Sequence, residues 1–224
     1  RTLRVSGIVT GIVTDIKDPE GLGRIKVVFP IFGIDTAAEG EQQTGIESAW
    51  APVGTFYAGA KHGGYFLPEV DDEVLVAFYL GDVNRPYVVG SVWNGKDRPL
   101  QDNADGKNNI KEITTRSGLS LRFTDTPDAQ TIEIYDEAGK EQITISKKDQ
   151  KITLQSQKEI LLTSSSGEVN ISAENIKVSA TSSLTLEGQT ISIKGEGKVS
   201  VEGGSVDVTS NGLVAVKGST INLN

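Results

Sequence analysis

Alternating aliphatic and polar residues dominate the last quarter of the chain. In blocks of fifteen, residues 169–224 read VNISAENIKVSATSS, LTLEGQTISIKGEGK, VSVEGGSVDVTSNGL and VAVKGSTINLN. Each block holds two pairs of aliphatic residues with one residue between the members of a pair. The first pairs are Val169 and Ile171, Leu184 and Leu186, Val199 and Val201, Val214 and Val216. The second are Ile176 and Val178, Ile191 and Ile193, Val206 and Val208, Ile221 and Leu223. Period two sets each pair on one face of a strand, and recurrence at fixed spacing predicts a stacked or solenoid β architecture. Looser pairs lead into the blocks: Leu119 and Leu121, Ile132 and Ile134, Ile143 and Ile145, Ile152 and Leu154, Ile160 and Leu162. One face of such strands is expected to be buried and the other wet.

The period itself limits how these strands close on one another. A three-sided β-helix wound from one chain repeats its corners every three segments, about 22–23 residues. Blocks of fifteen with two segments each do not map onto three faces of one chain. When three identical chains wind together, every layer holds three copies of one segment, and any period per chain is allowed. The expectation is an intertwined triple-stranded β-helix, a homotrimer, in which Val169, Ile171, Ile176, Val178, Leu184, Leu186, Ile191, Ile193, Val199, Val201, Val206 and Val208 form the trimer core. With strands about 4.8 Å apart along the axis, about 14 segments give a stiff, thin rod roughly 65 Å long.

Residues 1–95 carry a different pattern. Short apolar runs over Gly7–Val13, Gly23–Phe29, Ser48–Val53, Gly64–Leu67, Glu73–Leu80 and Tyr87–Trp93 predict a small barrel of five or six strands. Asp18-Pro19-Glu20-Gly21 and the cluster Gly81 to Pro86 read as turns, and the polar segment between Gly33 and Ser48 as a solvated loop. The chain is therefore read as all-β: a barrel over 1–95, a linker over 96–109, and a β-helix needle over 110–224 with fifteen-residue repeats from 169.

Composition sharpens the division. Among the aromatics only Phe123 and Tyr135 follow Trp93, and no proline follows Pro127, as a continuous sheet requires. Formal charge is −8 with no basic patch, which argues against nucleic acid as a partner. No run of eighteen apolar residues and no charged-then-apolar leader occurs. Without cysteine there are no disulfides or thiolate metal sites. The chain has no methionine and opens Arg1-Thr2, as expected of a processed product or an excised fragment.

Candidate chemistry is sparse. His62 is the single histidine, in the turn-like Lys61-His62-Gly63-Gly64, and is expected to be structural or solvated. Gln101, Asn103, Asp105, Gly106 and Glu112 fall at positions of a calcium-binding loop, but the first position lacks its carboxylate and no helices flank it, so a polar linker is expected. The carboxylates Asp71, Asp72 and Glu73 read as a turn and strand start rather than an acid/base site. Gly21-Leu22-Gly23 and Gly203-Gly204 lack the strand-to-helix context of a phosphate loop. No catalytic residue, metal site or cofactor is expected.

The succession Asp18-Pro19, Gly23-Arg24-Ile25-Lys26-Val27, Phe29-Pro30, Ala49-Trp50-Ala51, Gly63-Gly64-Tyr65-Phe66-Leu67-Pro68-Glu69-Val70, Asp72-Glu73-Val74-Leu75-Val76, Phe78, Gly81-Asp82, Pro86 and Gly90-Ser91 resembles the OB-fold domain of VgrG and bacteriophage central spike proteins. Past the linker, Asp105 to Lys111 and Thr115-Arg116-Ser117-Gly118 look like that family's entry into its β-helix. Asp71 departs from the pattern, where a glycine is expected. The resemblance implies a non-enzymatic central spike of a contractile injection machine, whether phage tail, type VI or extracellular injection system. Its barrels would sit on hub, baseplate and tube proteins, and its needle would pierce a target envelope with transient membrane contact. Such a spike is assembled in the cytoplasm and lies outside the cell on firing. The repeats run to Asn224 with no closing cap, and uncovered sheet ends invite association. Val214, Val216, Ile221, Leu223 and Asn224 are therefore the expected interface for a tip protein, which the resemblance implies is a PAAR-type cone. Two other readings remain open: a trimeric β-helix glycan-binding or glycan-lyase tail-fibre protein, and a structural baseplate connector.

Overall fold

A computed structural model describes residues 4–32 and 45–222. The chain divides into two compact units, Arg1–Ile160 and Leu161–Asn224.

The first unit opens with β1 (Ile8–Asp15), β2 (Arg24–Phe29), β3 (Ile46–Glu47) and β4 (Ala51–Pro52). It continues with β5 (Ala58–Gly59), β6 (His62–Gly63), β7 (Glu73–Phe78) and β8 (Pro86–Ser91). The main sheet runs β3-β2-β1-β7-β8 with β4 also on β2, and a parallel bridge from Val53 to Val88 brings β4 round to β8. Alternation does what the sequence predicts. Ile25, Val27 and Phe29 of β2 and Val74, Val76 and Phe78 of β7 point inward, and Val13, Ala51 and Val88 complete the core. The Phe29 ring meets Phe32 and Phe78 at 5.6 and 5.5 Å in tilted geometries that suit aromatic quadrupoles. Strand β1 pairs with β7 over Ile8–Ile12 and with β2 over Ile12–Asp15, with a register shift between Val13 and Asp15. Such a bulge adds the bend that closure needs. Gly11 lets β1 pass close over the core, where a Cβ would lie 3.3 Å from the Phe29 ring.

Asp18 organises the turn after β1. Its carboxylate accepts hydrogen bonds from the backbone N–H of Glu20, Leu22 and Arg24 and from Nε and Nη2 of Arg24 at 2.9 and 2.7 Å. The Arg24 guanidinium holds the Asp18 carboxyl far below the usual carboxylate range, against burial and with help from the three N–H groups. Asp71 has φ 77, a left-handed conformation that a glycine adopts freely and that aspartate tolerates better than most residues. That conformation accounts for the glycine expected there.

Two local expectations are corrected. The run Gly64–Leu67 forms no strand; the ladder pairs Ala58 with Gly63 and Gly59 with His62 instead. Apolarity misled because the aromatic rings here do not enter the core. Between Gly33 and Ser48, residues 33–44 lie outside the described residues, but Ile46–Glu47 pairs with Val28 and Phe29 rather than remaining loop.

The rest of the first unit is an antiparallel meander: β9 (Ile110–Thr114), β10 (Ser120–Thr124), β11 (Thr131–Tyr135), β12 (Gln142–Ser146) and β13 (Lys151–Gln155). Its four turns each place a residue at positive φ: Gly118, Asp128, Gly139 and Gln150. Register aligns Leu121 with Ile134, Ile132 with Ile145, Ile134 with Ile143, and Ile143 with Leu154, so the aliphatic pairs share one face. In the single chain this face is the bare one, with Ile132, Ile134, Ile143, Ile145, Ile152 and Leu154 all exposed. The polar face is better covered, and Ser120 is buried in it.

In the second unit the fifteen-residue period becomes geometry. The backbone bends at Glu174, Gln189, Gly204 and Ser219, and again at 181–182, 196–197 and 211–212. Each arm between bends carries one aliphatic pair. Among the described residues from Leu161 onward there is no strand ladder and no backbone-to-backbone hydrogen bond.

Candidate functional site

The expected trimer-core residues occupy the extended arms of the second unit, and none is buried by its own chain. Exposure follows a strict rule. The first member of every pair from Val169 to Val216 is 50–59 % exposed and the second 63–74 %. The alternation in exposure recurs in every successive arm. Ile221, at 49 %, lies just below the range of the other first members, while Leu223 and Asn224 lie outside the described residues. Among the described residues these arms combine bare Val, Ile and Leu with a backbone that makes no backbone-to-backbone hydrogen bond.

The first unit supplies a joint between barrel and meander that sequence reasoning missed. Just after β8, the Asn94 side chain accepts from the backbone of Lys96 and Asp97 and donates to Glu73 Oε2 at 2.9 Å. Further on, Gln101 Nε2 donates to Glu112 Oε2 at 2.8 Å, which ties the connecting segment to the polar face of the meander. Glu112 also accepts from the Tyr135 hydroxyl at 2.6 Å and from Arg122 Nη2 at 3.0 Å, and its side chain is only 6 % exposed. Burial pushes the Glu112 carboxyl up, but the hydrogen bonds from Tyr135, Gln101 and Arg122 outweigh it and hold the group below its usual range. Burial, followed by the bond to Glu112, raises the Tyr135 hydroxyl. The Arg122 guanidinium lies over the Tyr135 ring, 5.0 Å from its centroid. At the far turn of β9, Arg116 Nη1 reaches Glu69 Oε2 at 3.0 Å. These contacts hold barrel, connecting segment and meander in one arrangement.

The other candidates fall into structural roles. Asn103 and Asp105 cap turns within the connecting segment through the backbone N–H of Asn108 and Lys107, and Gly106 sits at positive φ. Glu112, the last position of the calcium-like pattern, is already served by three donors. Asp72 accepts from the backbone of Glu69, and Glu73 serves Asn94. Among the described residues no group of three or more His, Asp or Glu is arranged to hold a metal ion. An open cleft of about 740 Å³ lies beside the joint, lined by Trp93, Leu100, Asp102, Asp105, Ile110 and Glu112 among others. His62 places its ring beside Tyr57, with Nδ1 3.0 Å from the Ala60 carbonyl oxygen. The joint left one trace in the sequence: Glu112, Arg122 and Tyr135 all stand at polar-face positions of their strands, but only the register shows that they meet.

The family model of the type VI secretion system/phage-baseplate injector OB domain matches residues 9–93, the barrel. A second model, described as an uncharacterized protein conserved in bacteria (DUF2345), matches residues 115–212. The type VI secretion system spike protein VgrG1b of Pseudomonas aeruginosa is 29% identical over 159 residues, covering 67% of this chain and 20% of that protein. VgrG4b of the same organism is 35% identical over 95 residues, 41% of this chain and 11% of that protein. The actin cross-linking toxin VgrG1 of Vibrio cholerae is 28% identical over 121 residues, 54% of this chain and 10% of that protein. The chain thus spans a tenth to about a fifth of the length of these relatives. With an injector OB domain over residues 9–93, a second model over 115–212 and spike proteins among its relatives, the chain is similar to VgrG-like spike proteins.

Proposed function

We propose that this chain is the barrel-and-needle part of a central spike in a contractile injection machine, acting as a homotrimer whose role is mechanical rather than catalytic. The observation that carries the reading is the second unit: arms repeating every fifteen residues, with every described aliphatic pair bare and no strand ladder among the described residues of that unit. Three such chains wound about one axis would turn each bare pair inward and supply each arm with hydrogen-bond partners on neighbouring copies. A rod of that kind resists bending because deformation breaks many interchain bonds at once. Force applied to the barrels by a contracting sheath would then be concentrated on a narrow tip.

The domain reading follows the same division of labour: an OB barrel over 1–95, a linker over 96–109 and a needle over 110–224. Hub and baseplate proteins are the proposed partners of the barrel. A PAAR-type cone is the proposed partner of the segment that carries Val214, Val216, Ile221, Leu223 and Asn224. The match to the actin cross-linking toxin covers a tenth of that protein, and the reading of this chain as a spike does not draw on its toxin activity. Imaging of the parent particle tests the assignment: the needle is expected on the particle axis, beyond the baseplate. Density for this chain away from the axis, or buried within the baseplate, would refute it.

A further inference from the structure

The hairpin formed by β5 and β6 is built around aromatic rings that do not serve the barrel's core. Phe56 is 84 % exposed, Tyr57 59 %, Tyr65 78 % and Phe66 63 %. The rings are nevertheless held in place. A Cβ at Gly64 would lie 2.6 Å from the Phe56 ring, a Cβ at Gly59 would collide with the His62 ring, and Gly63 has φ 147. Phe56 and Phe66 pack at 6.4 Å, and Tyr57 and His62 at 5.2 Å. Thr55 Oγ1 donates to the Gly64 carbonyl at 2.8 Å, and the Gly64 N–H to the Tyr57 carbonyl at 2.8 Å, which closes the hairpin base. Glycines beneath aromatic rings fix a shaped apolar surface outside the core. Ordering such a surface in advance lowers the cost of docking it.

Charge is divided unevenly between the hairpin and the turn that follows it. Residues 55–67 contain no acid and carry Lys61 and His62 at the tip, whereas Glu69, Asp71, Asp72 and Glu73 crowd the next turn around the half-exposed Val70. No hydrogen bond or ion pair joins the Lys61 tip to its own acidic turn among the described residues. A surface with one patch basic and apolar and a second patch acidic and apolar is complementary to another copy of itself in head-to-tail fashion, the contact type that closes cyclic rings. Glu69 of that acidic turn also holds Arg116, so the second patch adjoins the meander and its bare aliphatic face. The packed pair Phe56 and Phe66 at these exposures presents roughly 300 Å² of apolar surface per hairpin, more than a third of the about 800 Å² per partner in a standard interface.

Resting on the trimer reading above, we propose that the hairpin is an inter-subunit clasp: its aromatic face and Lys61 tip pack on the acidic turn Glu69–Glu73 of the next copy, closing a ring around the barrels. The test is a photoreactive benzophenone amino acid in place of Phe56, irradiated in the assembled protein and read on a denaturing gel and by peptide mapping. Light scattering on the same sample gives the oligomeric state. A three-chain mass with covalent dimers and trimers whose cross-links map to residues 69–73 of another copy is expected. In the same assay Lys61→Glu is expected to lower cross-link yield at least five-fold, and adding Asp71→Lys to restore it. A three-chain mass with no cross-linked dimers, or with cross-links only inside one chain, overturns the clasp and leaves the trimer standing. Cross-links to a different baseplate protein in the whole particle, with none between copies, overturn it equally. A one-chain mass removes the trimer and the clasp together.

Discussion

Ile193→Ala separates a trimer core from a solvated surface at a single residue. In the isolated chain Ile193 is 72 % exposed, and substitutions at surfaces of that kind stay within about 0.5 kcal/mol. If three chains bury it, the loss has two parts. Removing the exposed fraction of an isoleucine from water is worth about 1–2 kcal/mol, and the cavity left behind raises the cost of truncation to about 3 kcal/mol per chain. For a cooperative unit of this size per chain, that corresponds to a fall in Tm of about 6–12 °C. Ser192→Ala serves as the control, since Ser192 lies between Ile191 and Ile193 on the opposite strand face. Thermal unfolding followed by circular dichroism, at matched protein concentration, reads both. A Tm for Ile193→Ala within 1 °C of the parent would refute the burial argument, as would an equal fall for Ser192→Ala.

Three further outcomes follow from the first unit. Glu112→Gln removes the charge that faces Arg122 and weakens the bonds from Gln101 and Tyr135; a loss of about 1–3 kcal/mol is expected, with faster hydrogen exchange over residues 99–103 as the local readout. Arg116→Ala breaks a pair whose arginine is 81 % exposed, so its effect is expected to stay below about 1 kcal/mol and to vanish in high salt. Asp18 has a folded pKa below its unfolded value, so its contribution to stability is fully present above the ordinary carboxylate range and is lost as pH falls toward the lowered folded value. Melting curves of parent and Asp18→Asn should therefore differ at pH 7 and converge as the solution is made strongly acidic; a constant gap down to pH 2 would contradict the linkage.

Much of the barrel was legible because β2 and β7 are buried on one face and alternate cleanly, so Ile25, Val27, Phe29, Val74, Val76 and Phe78 mark the core directly. The repeats were legible for the same reason. Period two reports which residues share a face, but not what covers that face. The meander shows the consequence: its aliphatic pairs align as their spacing implies, yet in the single chain that face is bare and the polar face is the better covered one. The aromatic hairpin was misread because Tyr65, Phe66 and Leu67 look like an inward strand, whereas Gly63 and Gly64 bend the chain and keep the rings outside. The joint was hidden because Gln101, Glu112, Arg122 and Tyr135 are spread over more than thirty residues and meet only through strand register.

Mass in solution tests the central claim most directly. Light scattering on the purified 23.9 kDa chain is expected to give about 72 kDa, three chains wound together, at concentrations down to the micromolar range. A value of about 24 kDa under the same conditions would contradict the account, because one chain would then have to leave all its repeated aliphatic pairs in water.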